Sequence, residues 1–170
     1  MTTTPNGEPV VRLVPATLAR LDAAIAGDTE LAGALGHAVV PGWATFADAL
    51  RTVRDAVATA APDPRWGAQL FVTEPPPELV GWGGFKGPPR DGEVEIGYEI
   101  AESRRGRGVA TAAARAMVAA AFADTDVRVI SAHTLAEPNA SNRLLTKLGF
   151  RFDGELVDDG QAVWRFTLPR

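Results

Sequence analysis

The chain has 170 residues, 46% of them hydrophobic and 22% charged, with no cysteine and a net charge of −4 at pH 7. Those totals describe an ordinary soluble globular chain, long enough for one domain with its own core. They exclude disulfides, thiolate metal sites and a cysteine nucleophile, and the acidic balance argues against nucleic acid as a partner.

In chain order, MTTTPNGEP has neither a basic start nor an apolar run, so residues 1–8 read as a flexible tail rather than a signal peptide. A single domain is expected over residues 9–170. Residues 10–14 are largely β-branched and predict a first strand. Leu18, Leu21, Ala24 and Ile25 recur at helical spacing within 16–26. A second short helix is expected at 28–34, capped by Asp28 or Thr29. Pro41-Gly42 marks a turn, and Phe46, Leu50, Val53 and Val57 share one face of a helix over 45–59. Residues 61–66 read as a loop.

The period then changes to that of strands. Residues 68–73 and 79–85 predict two strands joined by a turn at 75–77, followed by a loop at 87–92 and a strand at 93–101. A long helix is expected over 108–124, with Val109, Ala113, Met117 and Ala120 as its core stripe. Its apolar part, 110–123, is interrupted by Arg115 and too short to span a bilayer, so no membrane association is expected. Residues 127–134 read as a buried strand, and 140–148 as a helix closed by Gly149. A hairpin over 150–168, turning at Asp158-Asp159-Gly160, ends the chain. The fold class is therefore α/β (mixed α+β): a mixed, mostly antiparallel sheet of about seven strands with helices on both faces.

The chemistry concentrates in EVEIGYEIAESRRGRGVAT, residues 93–111, where a strand breaks into a basic turn with two glycines and then opens a helix. Bare backbone at Gly106 and Gly108, unpaired N–H groups at the helix start and the charges of Arg104, Arg105 and Arg107 together suit phosphate oxygens. A dinucleotide fingerprint fits poorly. Its third small residue would be Thr111, and the acidic residues that follow, Asp124 and Asp126, precede the next strand rather than end it. The nucleoside-triphosphate loop is excluded by the lack of Gly-Lys-Ser/Thr.

Arg105-Gly106-Arg107-Gly108-Val109-Ala110 fits the Arg/Gln-x-x-Gly-x-Gly/Ala signature of the GNAT superfamily of N-acetyltransferases. EIGYEIAESRRGRGVATAA, PNASNRLLTKLGF and VWRFTL resemble, in the same order, the branch that includes the ribosomal-protein N-terminal acetyltransferases. The resemblance covers roughly residues 66–168. It implies a bacterial, cytoplasmic enzyme with acetyl-coenzyme A as cosubstrate, no metal, and an amine acceptor of unknown identity. The pyrophosphate would lie on the backbone of Arg105, Gly106, Arg107, Gly108, Val109, Ala110 and Thr111, with the Thr111 hydroxyl as an added donor. Arg104 and Arg107 are either solvated or reach the adenosine 3′-phosphate. Ile100 and Ala101 would bind pantetheine through their main chain, and Asn139 or its neighbour Asn142 would bond the pantetheine amide.

Acetyl transfer needs an amine stripped of its proton and a protonated leaving thiolate. Glu95 is the first candidate base, with Glu99 on the same strand face and His133 as alternatives. Ser141 stands where a serine is the proposed acid in the resembled branch; a helix cap is its other reading. The tyrosine that many members place two positions before the lysine of Lys-Leu-Gly-Phe is replaced by Leu145, and Tyr98 is the only tyrosine in the chain. Trp43 and Trp82 are either core residues or walls of an acceptor pocket. The rival functions are a catalytically silent coenzyme A-binding module and a dinucleotide-dependent reductase. The exposed edge of the last hairpin leaves a homodimer open.

Overall fold

The computed structural model describes Gly7, residues 9–60 and residues 63–170, with Ala47 and Ala60 as backbone only. The predicted tail lies outside the described residues apart from Gly7, as do Ala61 and Pro62 of the predicted loop at 61–66. The elements run β1 (Val10–Pro15), α1 (Leu18–Ala26), α2 (Asp28–Leu35), β2 (Ala38–Val39), α3 (Ala47–Ala60), β3 (Ala68–Glu74), β4 (Glu78–Phe85), β5 (Glu93–Ile100), α4 (Val109–Phe122), β6 (Val129–Leu135), α5 (Ala140–Lys147), β7 (Arg151–Asp158) and β8 (Gln161–Pro169). Short 3₁₀ turns at Pro64–Trp66 and Glu102–Arg104 were not apparent in the sequence pattern.

The eight strands among the described residues form one sheet in the order β1-β3-β4-β5-β6-β8-β7, and β2 pairs with β4 off that path. β2 exceeds the expected seven strands because two residues carry no readable alternation. Pairing is antiparallel except between β5 and β6 and between β2 and β4. The β5–β6 ladder runs only from Glu93↔Val129 to Ile96↔Ala132, although β5 stays paired to β4 as far as Ile100↔Gly81. Beyond Ile96 the two central strands part and leave a wedge in the sheet.

Strand alternation gives β5 one core face and one polar face. Val94, Ile96 and Ile100 join the cluster under α4 and α5, with Val109, Ala113, Met117, Leu145 and Phe166. The opposite face carries Glu93, Glu95, Gly97 and Glu99. Beyond it, the β3–β4 part of the sheet meets α1–α3 through Leu21, Leu31, Trp43, Leu50, Leu79 and Trp82. Small side chains let α4 lie close to the sheet, and its buried residues are Val109, Ala112, Ala113, Ala114, Met117 and Ala121. The expected stripe is corrected at its end: Ala120 is exposed, because the last inward step from Met117 is four residues rather than three. The cap of α2 is Gly27, not Asp28 or Thr29, which are already inside or beside the first turn.

Candidate active site

The wedge opens into a groove of ≈ 710 Å³ bounded by β5, β6 and the starts of α4 and α5. At one end is the glycine turn. Gly106 (φ 70°) and Gly108 (φ 78°) both occupy the left-handed region, which costs a side-chain-bearing residue ~1–2 kcal/mol. Gly108 is the N-cap of α4 and offers no side-chain cap, while the first intrahelical bond is Ala112 N–H to Gly108 O at 2.9 Å. The preceding N–H groups of the helix therefore have no intrahelical acceptor, and the dipole adds partial positive charge. Gly106, Gly108, Val109, Ala110 and Thr111 all line the groove.

The three arginines of the turn separate in role. Arg104 donates to Glu78 Oε2 at 3.0 Å and is tied to β4. Arg105 lines the groove and donates through Nε to the Ile100 carbonyl at 3.2 Å, pinning the turn to the end of β5. Arg107 is exposed and outside the lining. Arg143 and Lys147 of α5 line the opposite wall, so cationic side chains face the groove from two elements. Sequence reasoning missed them, since one turn of α5 separates them from each other and over thirty residues separate them from the glycines.

Asn139 caps α5: its Oδ1 accepts from Asn142 N at 3.0 Å, and its Nδ2 donates to the Glu137 carbonyl at 3.0 Å. Asn139 lines the groove, but Asn142 is buried and donates to Glu137 O at 2.8 Å. Ile100 lines the groove; Ala101 is fully buried, and its N–H bonds Val80 O at 2.8 Å. With Asn139 as cap, Ser141 is released from that task and faces the groove.

Beside Ser141 lies Tyr98, also a lining residue, which the motif comparison left without a role. Its hydroxyl is buried close to the Ser141 hydroxyl without the geometry of a full hydrogen bond. Burial pushes the phenol up to about 12, against a smaller opposing pull from Ser141. Leu145, at the expected tyrosine position, is wholly buried in the core beneath α5. The phenol thus enters from the strand side of the groove instead of from α5. The available signal was the alternation of β5, which sends Tyr98 to the same face as Ile96 and Ile100.

Glu99, the next residue, points to the other face and still reaches the rim of the groove. Its Oε1 accepts from Trp82 Nε1 and from Thr45 N–H at 3.2 Å. Its Oε2 is buried with no partner. Trp82 and Trp43 pack edge to face at 6.2 Å between centroids and are both buried, so the tryptophans form the base under Glu99.

Glu95 lies outside the groove lining, on the stretch where β5 is still paired to β6. Lys86 Nζ sits 2.6 Å from its Oε1 and 3.5 Å from Asp158 Oδ2. His133 Nδ1 is 3.2 and 3.4 Å from the same two oxygens. Burial pulls the Lys86 ammonium down, but the bond to Glu95 and the charges of Glu95 and Asp158 hold it above the usual lysine value. Glu95, His133 and Asp158 bring ligand atoms within 4.8 Å of one another, as a cation site would, and the Lys86 ammonium contacts the carboxylates of that trio. Nearby, Arg165 bonds Glu93 Oε1 and Oε2 at 2.7 and 2.8 Å and pairs with Asp153. His37, given no role, belongs neither to the groove lining nor to this cluster, and its ring nitrogens are buried with no hydrogen-bond partner.

This arrangement places the chain in a known class. The family model for the acetyltransferase (GNAT) domain matches residues 11–151, so the chain belongs to the GNAT family. It is 34% identical over 93 residues to YoaA of Bacillus subtilis (strain 168), an uncharacterised N-acetyltransferase; the match spans 54% of this chain and 51% of that protein. The matched segment is thus about half the length of that curated relative. In fold it resembles RimL, a ribosomal L7/L12 α-N-protein acetyltransferase (TM-score 0.64, 17% identity, 95% of this chain and 91% of that one). It equally resembles AAC(6′)-Ib, solved with paromomycin and acetyl-coenzyme A (TM-score 0.64, 18% identity, 96% and 94%). No helix among the described residues is long and apolar enough to cross a membrane.

Proposed function

We propose that the protein transfers the acetyl group of acetyl-coenzyme A to a primary amine by direct attack within a ternary complex. One observation carries this reading. The β5–β6 wedge joins an uncapped helix start, suited to a diphosphate, to the neighbouring residues Tyr98 and Glu99, which stand on opposite sides of the strand. The N–H groups behind Gly108 hold phosphate oxygens, and Arg105, Arg143 and Lys147 supply full charge along the path. β5 amides freed from β6 beyond Ile96 face the thioester oxygen, where charge develops.

Glu99 is the better placed base. Two donors fix its Oε1, and its Oε2, buried without a partner, has no bond to give up before it takes the amine proton, whereas Glu95 already binds Lys86. Once Glu99 holds the first amine proton, the nitrogen bonds the acetyl carbon and the carbon–sulfur bond breaks; Ser141 with Tyr98 behind it protonates the sulfur, and the surplus proton of the acylated nitrogen returns to Ser141 through solvent, so the acetylated amine and the coenzyme A thiol leave. Because the chain has no cysteine, no acyl-cysteine enzyme forms, and a thiol reagent in the assay reads only released coenzyme A.

The test is calorimetric titration with acetyl-coenzyme A and with NADPH, then thiol release with protein N-termini, polyamines and aminoglycosides. Acetyl-coenzyme A binding followed by amine-dependent thiol release is expected. Binding without release from any amine would establish the silent coenzyme A module instead, and binding of NADPH alone would establish the reductase.

A further inference from the structure

Gly97 is the only residue on the carboxylate-bearing face of β5 without a side chain, and packing does not require it. The glycines of β4 differ. A Cβ on Gly83 would run into the Gly97 carbonyl, and one on Gly81 into the Glu99 carbonyl, so β4 approaches β5 only if both are bare. A Cβ on Gly97 would meet no heavy atom within 4 Å. Its φ lies outside the left-handed region, and it is paired to Gly84 in the regular ladder. Any residue adopts that conformation, and glycine weakens a strand interior.

The position explains what conformation and packing leave unexplained. Gly97 is the first residue past the last β5–β6 pair, at the apex of the wedge. Two residues to one side on the same face stands Glu95 with Lys86, His133 and Asp158; two residues to the other stands Glu99 on its tryptophan base. The face is acidic: Glu93, Glu95, Glu99, Asp153 and Asp158 confront the permanent cations Lys86 and Arg165.

We propose that the space above Gly97 is the acceptor seat, and that it admits the terminal –CH₂–NH₃⁺ of an unbranched cationic alkylamine. Glu95 and Glu99 flank Gly97 two residues to either side on the same strand face, so a substituent on the carbon bearing the amine is directed toward one carboxylate or the other. The ammonium enters between Glu95 and Glu99, loses its proton to Glu99, and meets the acetyl carbon at the apex. This deepens the acetyltransferase reading and rests on it.

Gly97→Val and Gly97→Ala test the seat. In the wild type, kcat/KM for 1,5-diaminopentane is expected to exceed that for an α-branched peptide N-terminus by about tenfold or more. Gly97→Val should keep its melting temperature and its acetyl-coenzyme A Kd within about twofold, while kcat/KM for the diamine falls on the order of 100-fold through a raised KM. Gly97→Ala should fall between the two and serves if valine impairs folding. An unchanged diamine KM in either variant, with wild type active, overturns the seat alone, as does a wild-type preference for the branched amine. A wild type that acetylates no amine overturns the acetyltransferase reading and the seat with it.

Discussion

The two faces of β5 are built in different ways. On the Tyr98 side the site is mostly main chain: amides behind Gly106 and Gly108, opened by glycine conformations and oriented by α4. On the Glu99 side it is mostly side chains, drawn from β4 and the residue after it, β5, β6 and the tip of the β7–β8 hairpin, with one main-chain donor from Thr45. A backbone site must be built from contiguous residues because one helix terminus supplies its donors. A side-chain site can gather residues from Lys86 to Asp158, because the sheet register sets their distances. The first tolerates few residue types at its glycines, and the second tolerates drift in everything but geometry.

The largest expected effect breaks the backbone side. Gly108→Val forces a β-branched residue into the left-handed region, which costs ~1–2 kcal/mol of stability, and turns the amides from the diphosphate. Losing two charge-assisted hydrogen bonds should weaken acetyl-coenzyme A binding on the order of 100-fold by calorimetry. Binding within threefold of wild type would remove the turn from the site.

Next comes Glu99→Gln, which keeps shape and removes the proton acceptor. The expected result is a kcat reduced on the order of 10²-fold with acetyl-coenzyme A affinity unchanged. Glu95→Gln should cost about tenfold or less, since it disturbs the Lys86 ion pair rather than the proton transfer. The reverse ranking would hand the base role to Glu95.

The smallest effect concerns Tyr98→Phe. Loss of one hydroxyl behind Ser141 should lower kcat about tenfold. The same variant has a stability signature of defined sign. Burial raises the Tyr98 phenol from 10.0 to about 12 in the folded protein, so above pH 10 the unfolded chain releases a proton that the folded one keeps. The stabilising contribution is whole below pH 10 and lost as pH rises toward 12. Urea melts across that window should show a steeper alkaline loss in wild type than in Tyr98→Phe. Equal slopes would mean the hydroxyl is solvated.

Legibility in the sequence followed the same division. The order of strands and helices was readable because periods of 2 and 3.6 are local, and the Gly106-x-Gly108 turn at the start of α4 was readable because its conformation is local too. Ends slipped by a residue or two, as at α3, and β2 was too short to show a period. Ser141 was recognised on motif position, but its freedom to act depended on Asn139 taking the cap. Tyr98 was visible as the only tyrosine, yet its place beside Ser141 joins a strand to a helix more than forty residues away. Glu95 and Glu99 looked equivalent on one strand face, and the chain outside that strand separated them by giving Lys86 to one and Trp82 to the other.

By itself, the sequence determined a mixed sheet with helices on both faces and a two-glycine turn ahead of an alanine-rich helix, since these depend on neighbours along the chain. Tertiary structure alone decided where β5 leaves β6, which carboxylate keeps a free oxygen, and that the space above Gly97 stays open. Those depend on register and packing between strands distant in sequence, where a shift of one residue would send Tyr98 and Glu99 to each other's sides.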